Sequence, residues 1–533
     1  MSSAEEKKMP VAGEDAIHPV TSNQVARGDD NIKQAQSKEA DQAAKFLASV
    51  GPFPPMTPEQ EKAIVRKIDR WMIPLLLFMG LFAAVDKVQL ATGALYGFKE
   101  DNNLHGQDYS WLGSILSLGM LVGIWPSTYL IHRLPAGKYL SACSMCWSLM
   151  TLCIAACHNW AGLMVLRFLM GVFEAIISPG ATLLISVFWK KSEQPIRNGK
   201  LKTMVSDMYP VIMTVFSSVV NGFLSWVIGK IPADAPLARW QYLYLLTGSM
   251  NVLYSIFMIF YLPDSPINAH FLTVEERWHA VQRLAENRTG IDSSEWKWDQ
   301  AWEAVLDVKI WIMFFFNIAV NVPNGGLITF GALIINNLGF DAQTSALLSM
   351  PNGVISSASG FLASYLAAKW QGRRTFVVML ATLVPLLGTA LVYALPRSST
   401  GGQMFGLYLM YCYWAPYVTA ISLPQANTAG STKKVVTYGI LLLGYGAGNL
   451  IGPQTFREAQ APTYTGGTIA MLSCYCTAIL LMGLYFIVAR LENHRKDKKY
   501  GKAHQVEKEN MDALVEVYQD LSDKKQEDFR YTH

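Results

Sequence analysis

Apolar stretches long enough to cross a bilayer recur twelve times along this chain, which leaves it few possible folds. About 20 apolar residues suffice to span the hydrocarbon core. Backbone in lipid must satisfy its own hydrogen bonds, so each stretch reads as a helix. The spans fall at about 71–96, 110–131, 139–157, 161–188, 203–228 and 240–262, then at about 310–336, 344–368, 375–395, 403–423, 435–455 and 468–490. A polar, Trp-rich stretch from Pro263 to Val308 separates the two sets. The expected fold is all-α and integral to the membrane, with twelve helices in two six-helix repeats joined by a cytoplasmic loop.

The rest of the composition agrees. Only 16% of the 533 residues are charged, against about 25% in soluble domains. The net charge of +4 is small and its basic residues cluster at the edges of spans, so no nucleic-acid partner is expected. The expected division is a disordered cytoplasmic tail over 1–65, a six-helix bundle over 66–262, a central loop over 263–308, a second bundle over 309–492 and a charged, partly helical cytoplasmic tail over 493–533. No signal peptide is visible at the start. All seven cysteines lie in apolar segments, and the pair Cys143 and Cys146 lacks the second pair or histidine cluster that would complete a metal or redox site. No glycine-rich phosphate loop followed by Lys appears, which argues against ATP-driven chemistry. No His/Asp or Ser/Lys constellation lies within the spans, so neither an enzyme nor a cofactor is expected.

Within the first span, Asp86 and Lys87 stand side by side. A formal charge at the centre of a membrane helix costs roughly 2.5–3.5 kcal/mol even on lenient scales. Adjacent helical residues point about 100° apart, so the two cannot neutralise each other. Each requires its own partner in a protein-lined cavity, either as a structural ion pair or as part of a substrate or ion pathway.

The two halves look like repeats. The loop after the second span reads His132-Arg133-Leu134-Pro135-Ala136-Gly137-Lys138, and the loop after the eighth reads Ala368-Lys369-Trp370-Gln371-Gly372-Arg373-Arg374. Gly137 and Gly372 are 235 positions apart, close to the 240 between Trp71 and Trp311 at the starts of the halves. Twelve Lys and Arg residues, including Arg133, Lys138, Arg373 and Arg374, fall in short loops on one side, against five on the other. That bias places both termini and the central loop in the cytoplasm. The sequon Asn287-Arg288-Thr289 then lies in the cytoplasmic loop and should carry no glycan.

Several runs point to a family. Asp86-Lys87-Val88-Gln89-Leu90, Tyr109-Ser110-Trp111-Leu112-Gly113-Ser114 and Arg167-Phe168-Leu169-Met170-Gly171-Val172-Phe173-Glu174-Ala175 resemble the fungal allantoate permease family. This is the anion:cation symporter branch of the major facilitator superfamily. Asn324-Gly325-Gly326, Asn427-Thr428-Ala429-Gly430-Ser431-Thr432 and Gly446-Ala447-Gly448-Asn449-Leu450-Ile451-Gly452-Pro453 agree with it, and the resemblance covers about residues 60–495. It implies two parallel repeats around a midplane site. It also implies a monomeric carrier in the plasma membrane, moving a small organic anion or vitamin together with a proton. Characterised members carry allantoate, ureidosuccinate, nicotinate, pantothenate or biotin. Some relatives sit in clusters for secondary metabolites, so export is the alternative direction, and a non-transporting nutrient sensor is a third reading. One departure is that the loop after the second span lacks the usual Asp before its basic residues, having Ile131-His132-Arg133 instead. The Gly-Pro antiporter signature is missing from the fifth span as well, where Asp207 marks the cytoplasmic end.

Candidate site residues follow. Arg167, Gly171 and Glu174 share one face of the fourth span. Arg167 and Glu174 are about 10 Å apart along the axis. A buried carboxyl at Glu174 could exchange a proton, and Arg167 could grip a carboxylate, or both could brace the first and fourth helices. Substrate-binding candidates are Lys87, Arg167 and Asn324; proton-coupling candidates are Glu174 and Asp86. Asn324, after Pro323 and before Gly325 and Gly326, marks either an interrupted helix, whose free backbone groups can face a cavity, or a simple kink. Arg133, Gly137, Lys138, Gly372, Arg373, Arg374 and Asn449 are gating or structural candidates. Asn449, among glycines, reads as close helix packing with one interhelical hydrogen bond. Trp111, Tyr413 and Trp414 read as belt residues.

Overall fold

The structure is a computed structural model that describes residues 45–47, 49–50, 53–190, 208–232, 234–285, 296–370, 372–501, 521–527 and 529–532. Asp207 and the Asn287 sequon lie outside these residues. All regular structure among the described residues is helical. The first half comprises α1 (Pro58–Ala94), α2 (Asp108–Arg133), α3 (Ala136–Ile154), α4 (Trp160–Glu174), α5 (Ile177–Phe188), α6 (Met208–Gly229) and α7 (Arg239–Tyr261). Two linker helices follow, α8 (Val274–Ala285) and α9 (Trp298–Val305). The second half comprises α10 (Val308–Asn336), α11 (Ala342–Leu348), α12 (Met350–Lys369), α13 (Arg374–Ala394), α14 (Thr400–Met410), α15 (Trp414–Asn427), α16 (Ser431–Gln454) and α17 (Thr465–Tyr500).

Each of the twelve expected spans holds a helix, but three are broken. The fourth divides after Glu174, the eighth at Ser349, and the tenth at a 3-10 turn over Tyr411–Tyr413. A proline follows each break closely, at Pro179, Pro351 and Pro416. Proline supplies no N–H and its ring crowds the carbonyl four residues earlier, so the ladder lapses there. Among the described residues eight spans, the broken fourth counted as one, are long and apolar enough to cross a membrane by length and composition. Among the remaining span positions, α3 and α12 dilute their apolar surface with Ser, Gly and Asn, many of them buried against neighbours.

α1 starts well before its apolar run. Thr57 caps it reciprocally with Gln60: the Gln60 N–H donates to Thr57 Oγ1 at 3.3 Å, and the Thr57 N–H to Gln60 Oε1 at 2.9 Å. The polar first turns of α1 hold the linker. Lys67 pairs with Glu276 of α8 at 2.7 Å, and Glu61 with Lys190 at 2.9 Å and Arg283 at 3.4 Å.

Glycine governs the closest helix contacts. A Cβ on Gly171 of α4 would collide with the Leu116 carbonyl of α2, and one on Gly119 of α2 with the Phe168 carbonyl of α4. In the second half, Gly448 and Gly452 of α16 sit against Asn321 and Val322 of α10 in the same way. Small residues let backbones approach where no water drives helices together.

On the face opposite the termini the halves are sealed to each other. Tyr109 donates to the Thr329 carbonyl at 2.8 Å, Ser110 to that of Phe456 at 3.1 Å, and Ser114 to that of Leu450 at 2.6 Å. Lys99 pairs with Glu458 at 2.9 Å on the same side.

The end of the chain folds back onto the second half. Lys433 is fully buried, its Nζ 2.7 Å from Asp523, 2.8 Å from Glu303 and 3.1 Å from Asp307. Ser522 donates to Glu303 at 2.7 Å, and the Thr532 N–H donates to Asn427 Oδ1 at 2.6 Å. Lys309 pairs with Asp307 at 3.1 Å and with Glu492. Burial alone would raise Asp307, but Lys309 and Lys433 outweigh it and hold its carboxyl below the ordinary aspartate value. Residues 521–527 and 529–532 thus form a strap across the ends of α9, α10, α15, α16 and α17.

Candidate functional site

Between the halves, on the terminal side of the seal, lies a cavity of about 220 Å³. The first half contributes Lys87 and Thr92 of α1 with Ser217, Ser218 and Asn221 of α6. The second contributes Asn324 of α10, Asn352 and Ser356 of α12, Tyr411, Tyr413 and Trp414 at the break between α14 and α15, and Tyr445 of α16.

Asp86 and Lys87 point apart, as adjacent helical residues must, and each has its own partner. The Lys87 ammonium lies on the cavity wall, 3.1 Å from Glu174 Oε1. Glu174 closes α4 at the break, and its second oxygen, Oε2, is buried with no hydrogen-bond partner among the described residues. Asp86 faces away from the cavity, where its Oδ2 accepts from Thr151 of α3 at 3.1 Å and from Asn251 of α7 at 3.0 Å. Its Oδ1 is buried and unpaired among the described residues. Glu174 and Arg167 both lie within electrostatic reach of Asp86. The four groups form a balanced set of two acids and two bases, three of them buried and Lys87 partly exposed on the cavity wall.

Arg167 and Glu174 are both buried on the face of α4 that also carries Gly171. Arg167 does not line the cavity. Its Nε–H donates to the Leu112 carbonyl at 2.8 Å, it stands beside Tyr244, and its Nη1 has no partner among the described residues. The geometry joins α4 to α2, which suits bracing better than direct grip on a ligand.

The interruption expected at Asn324 is corrected: α10 runs unbroken from Val308 to Asn336 with Pro323 inside it. Gly325 and Gly326 serve contact instead, since a Cβ would come within 2.8 Å of the Asn449 carbonyl at the first and within 2.5 Å of the Phe456 ring at the second. Asn324 lines the cavity as part of an amide ladder. Its Nδ2 donates to Asn449 Oδ1 at 3.0 Å and to Asn321 Oδ1 at 3.3 Å, while its own Oδ1 is unpaired among the described residues. Asn449 makes two interhelical bonds and not one, its Nδ2 donating to Asn321 Oδ1 at 3.4 Å, and within α16 it also donates to the Tyr445 carbonyl at 2.9 Å. Asn317, Asn321 and Asn324 fall at i, i+4 and i+7, a spacing that could have revealed the first two.

Tyr413 and Trp414, read as belt residues, line the cavity with Tyr411 and Tyr445; Trp111 is exposed and does not. Asn352 went unnoticed, although an amide in an apolar span carries the same signal as Asn324. The loop candidates lie away from the cavity. Arg133 stacks over the Tyr129 ring at 5.2 Å, and the Lys138 N–H donates to Asp264 at 3.0 Å. Gly137 lies against the Leu262 and Pro263 carbonyls, where a Cβ would come within 3.0 Å of both oxygens. Gly372 adopts φ +75°, a left-handed conformation that glycine tolerates best. The Arg373 N–H donates to the Trp370 carbonyl at 3.1 Å, and Arg374 donates to that of Ser422 at 3.4 Å. The described cysteines are free thiols, and no cluster of His, Cys, Asp and Glu able to hold a metal occurs among the described residues.

Comparison with known proteins agrees with this architecture. The family profile described as Major Facilitator Superfamily matches residues 75–453. The MFS-type transporter cnsL of Penicillium expansum is 36% identical over 504 residues, covering 94% of this chain and 95% of that one. The allantoate permease of Saccharomyces cerevisiae is 30% identical over 509 residues, covering 93% and 91%. A bacterial homolog of the human lysosomal transporter Spinster, solved inward-facing and unoccupied, superposes with a TM-score of 0.58 at 15% identity, covering 79% of this chain and 97% of that one. This chain is a multi-pass secondary transporter and belongs to the Major Facilitator Superfamily, in the fungal family that includes the allantoate permease.

Proposed function

We propose that the protein is a proton-coupled, alternating-access carrier that takes up a small organic anion across the plasma membrane. The observation that carries this reading is the Lys87–Glu174 pair at 3.1 Å on the cavity wall. With Glu174 ionised, Lys87 is already neutralised and offers little to an anion. Protonation of Glu174 removes that competitor, and Lys87 then binds the substrate carboxylate by a charge-assisted hydrogen bond. The set of two acids and two bases gains one positive charge from the proton and loses it to the anion. The loaded cavity is therefore as neutral as the empty one, which permits closure in a low-dielectric interior.

Asp86 is the second proton-coupling candidate, and Asn324 supplies an unpaired carbonyl oxygen for a donor on the substrate. The bundles over 66–262 and 309–492 act as the two rocking bodies. The excess of Lys and Arg on the terminal face supports cytoplasmic termini, and monomer is the state we propose. The allantoate permease and the high affinity cysteine transporter among its relatives support a small carboxylate as cargo. The test is uptake of labelled allantoate, ureidosuccinate, nicotinate, pantothenate and biotin at acidic external pH, with and without a protonophore. Protonophore-sensitive accumulation of one compound supports the reading. No uptake, together with efflux driven by an inward pH gradient, would favour an exporter.

A further inference from the structure

The linker helix α9 has two unlike faces. Its inner side buries Gln300, Ala301 and Ala304, and Glu303 reaches Lys433 of α16 at 2.8 Å. Its outer side carries Trp298, Trp302 and then Leu306 at four-residue spacing, and these are 69%, 62% and 72% exposed. Four-residue spacing puts them on one stripe of the helix. Two large aromatic side chains facing water at adjacent turns of so short a helix would be costly without a partner.

The corner after α9 shows what that partner is. Trp311 Nε1–H of α10 donates to the Val305 carbonyl at 2.7 Å, fixing the end of α9 against the start of the next span. The stripe therefore continues into Trp311 and Phe315, exposed on the outer wall of α10, a helix long and apolar enough to cross the membrane. The charged edge of α9 is held separately, with Asp299 paired to Lys525 at 2.6 Å and both exposed. Tryptophan concentrates at the headgroup level, where its ring meets acyl chain and its N–H meets water.

We infer that α9 is an interfacial helix, with Trp298, Trp302 and Leu306 inserted into the phospholipid surface beside α10. The occupant is the bilayer because the stripe is continuous with the lipid-facing wall of a spanning helix. Its inner face meanwhile joins the linker to the second half, so this end of the linker is fixed by both protein and lipid.

The experiment places a benzophenone amino acid at position 298, 302 or 306 of the full chain, with 315 as the lipid-facing reference and 299 as the water-facing one. Each variant is reconstituted in phosphatidylcholine vesicles with a minority of phosphatidylglycerol, irradiated, and weighed by intact mass spectrometry. Expected are single-phospholipid adducts at 302 and 306 in yields near that at 315 and several-fold above that at 299. Cross-links within the chain at these positions would assign the stripe to another segment of the protein and overturn the inference. Yields at 302 and 306 no higher than at 299 would overturn it too. Three positions are used so that one poorly folded variant leaves the test intact.

Discussion

Lys87 and Glu174 meet at 3.1 Å between α1 and α4, with the lysine on the cavity wall and the carboxylate buried at the end of a broken helix. In the proposed mechanism the pair joins the cavity wall to the group that takes up the coupling proton. Glu174→Gln should abolish proton-driven accumulation while sparing exchange of labelled for unlabelled substrate. Accumulation that persists in the Gln variant, measured in energised vesicles, would remove Glu174 from the coupling step.

Lys87→Ala should raise KM tenfold or more, since a hydrogen bond to a charged group contributes about 1.5–3 kcal/mol. Arg167→Lys should instead lower thermal stability through loss of its bond to the Leu112 carbonyl. Parallel KM and unfolding measurements separate these two roles.

Asp86→Leu should destabilise the first half by about 1–3 kcal/mol, because it strands the Asn251 amide in a buried setting, while the Thr151 hydroxyl keeps the Trp147 carbonyl. Asp86→Asn, which keeps an acceptor, should cost less. Thermal unfolding in detergent gives the order, and equal losses would argue against this bonding pattern.

Asp523→Ala should loosen the strap and weaken the second half by about 3–5 kcal/mol, the usual effect of removing one partner from a buried ion pair. Lys433 would keep Glu303 and Asp307, so the lower end of that range is expected. Limited proteolysis after Tyr500, faster in the variant, checks it.

The same cluster gives a pH dependence. Asp307 is held below its ordinary value of 3.8, so its stabilising contribution is complete above that unfolded value and is lost as pH falls through the folded one. Unfolding temperature should therefore become insensitive to Asp307→Asn only once pH has fallen below the folded value, where wild type and variant carry the same charge. It should be clearly lower in the variant at neutral pH.

Much of the fold was legible because membrane spans announce themselves by length and apolarity, and Lys and Arg by position. The charged residues of the first half were legible too, since a charge in an apolar span demands a partner: Asp86, Lys87, Arg167 and Glu174 do lie together. Which one faces the cavity was not, because a single sequence shows spacing on one helix and not the rotation of that helix against its neighbours. The same limit hid Asn352 and the aromatic wall of Tyr411, Tyr413 and Trp414. Asn324 shows the opposite error. Proline and two glycines read as a break, but α10 runs on through them, and the glycines give close contact with Asn449 and Phe456. The folded strap was hidden because charged tails ordinarily stay solvated, and its burial depends on a lysine nearly a hundred residues away.

The seal opposite the termini is made from hydroxyls that lend a hydrogen to carbonyl oxygens across the gap. Thr329 and Leu450 lie inside helices, where a carbonyl oxygen has a second lone pair to spare after serving its own ladder. Parting the halves would therefore leave both helices whole. Each such bond is worth only about 0.5–1.5 kcal/mol net, and a serine hydroxyl can turn back to a carbonyl of its own helix. The joint behaves like a row of press-studs: firm enough together to hold one side shut, weak enough singly to come undone in sequence.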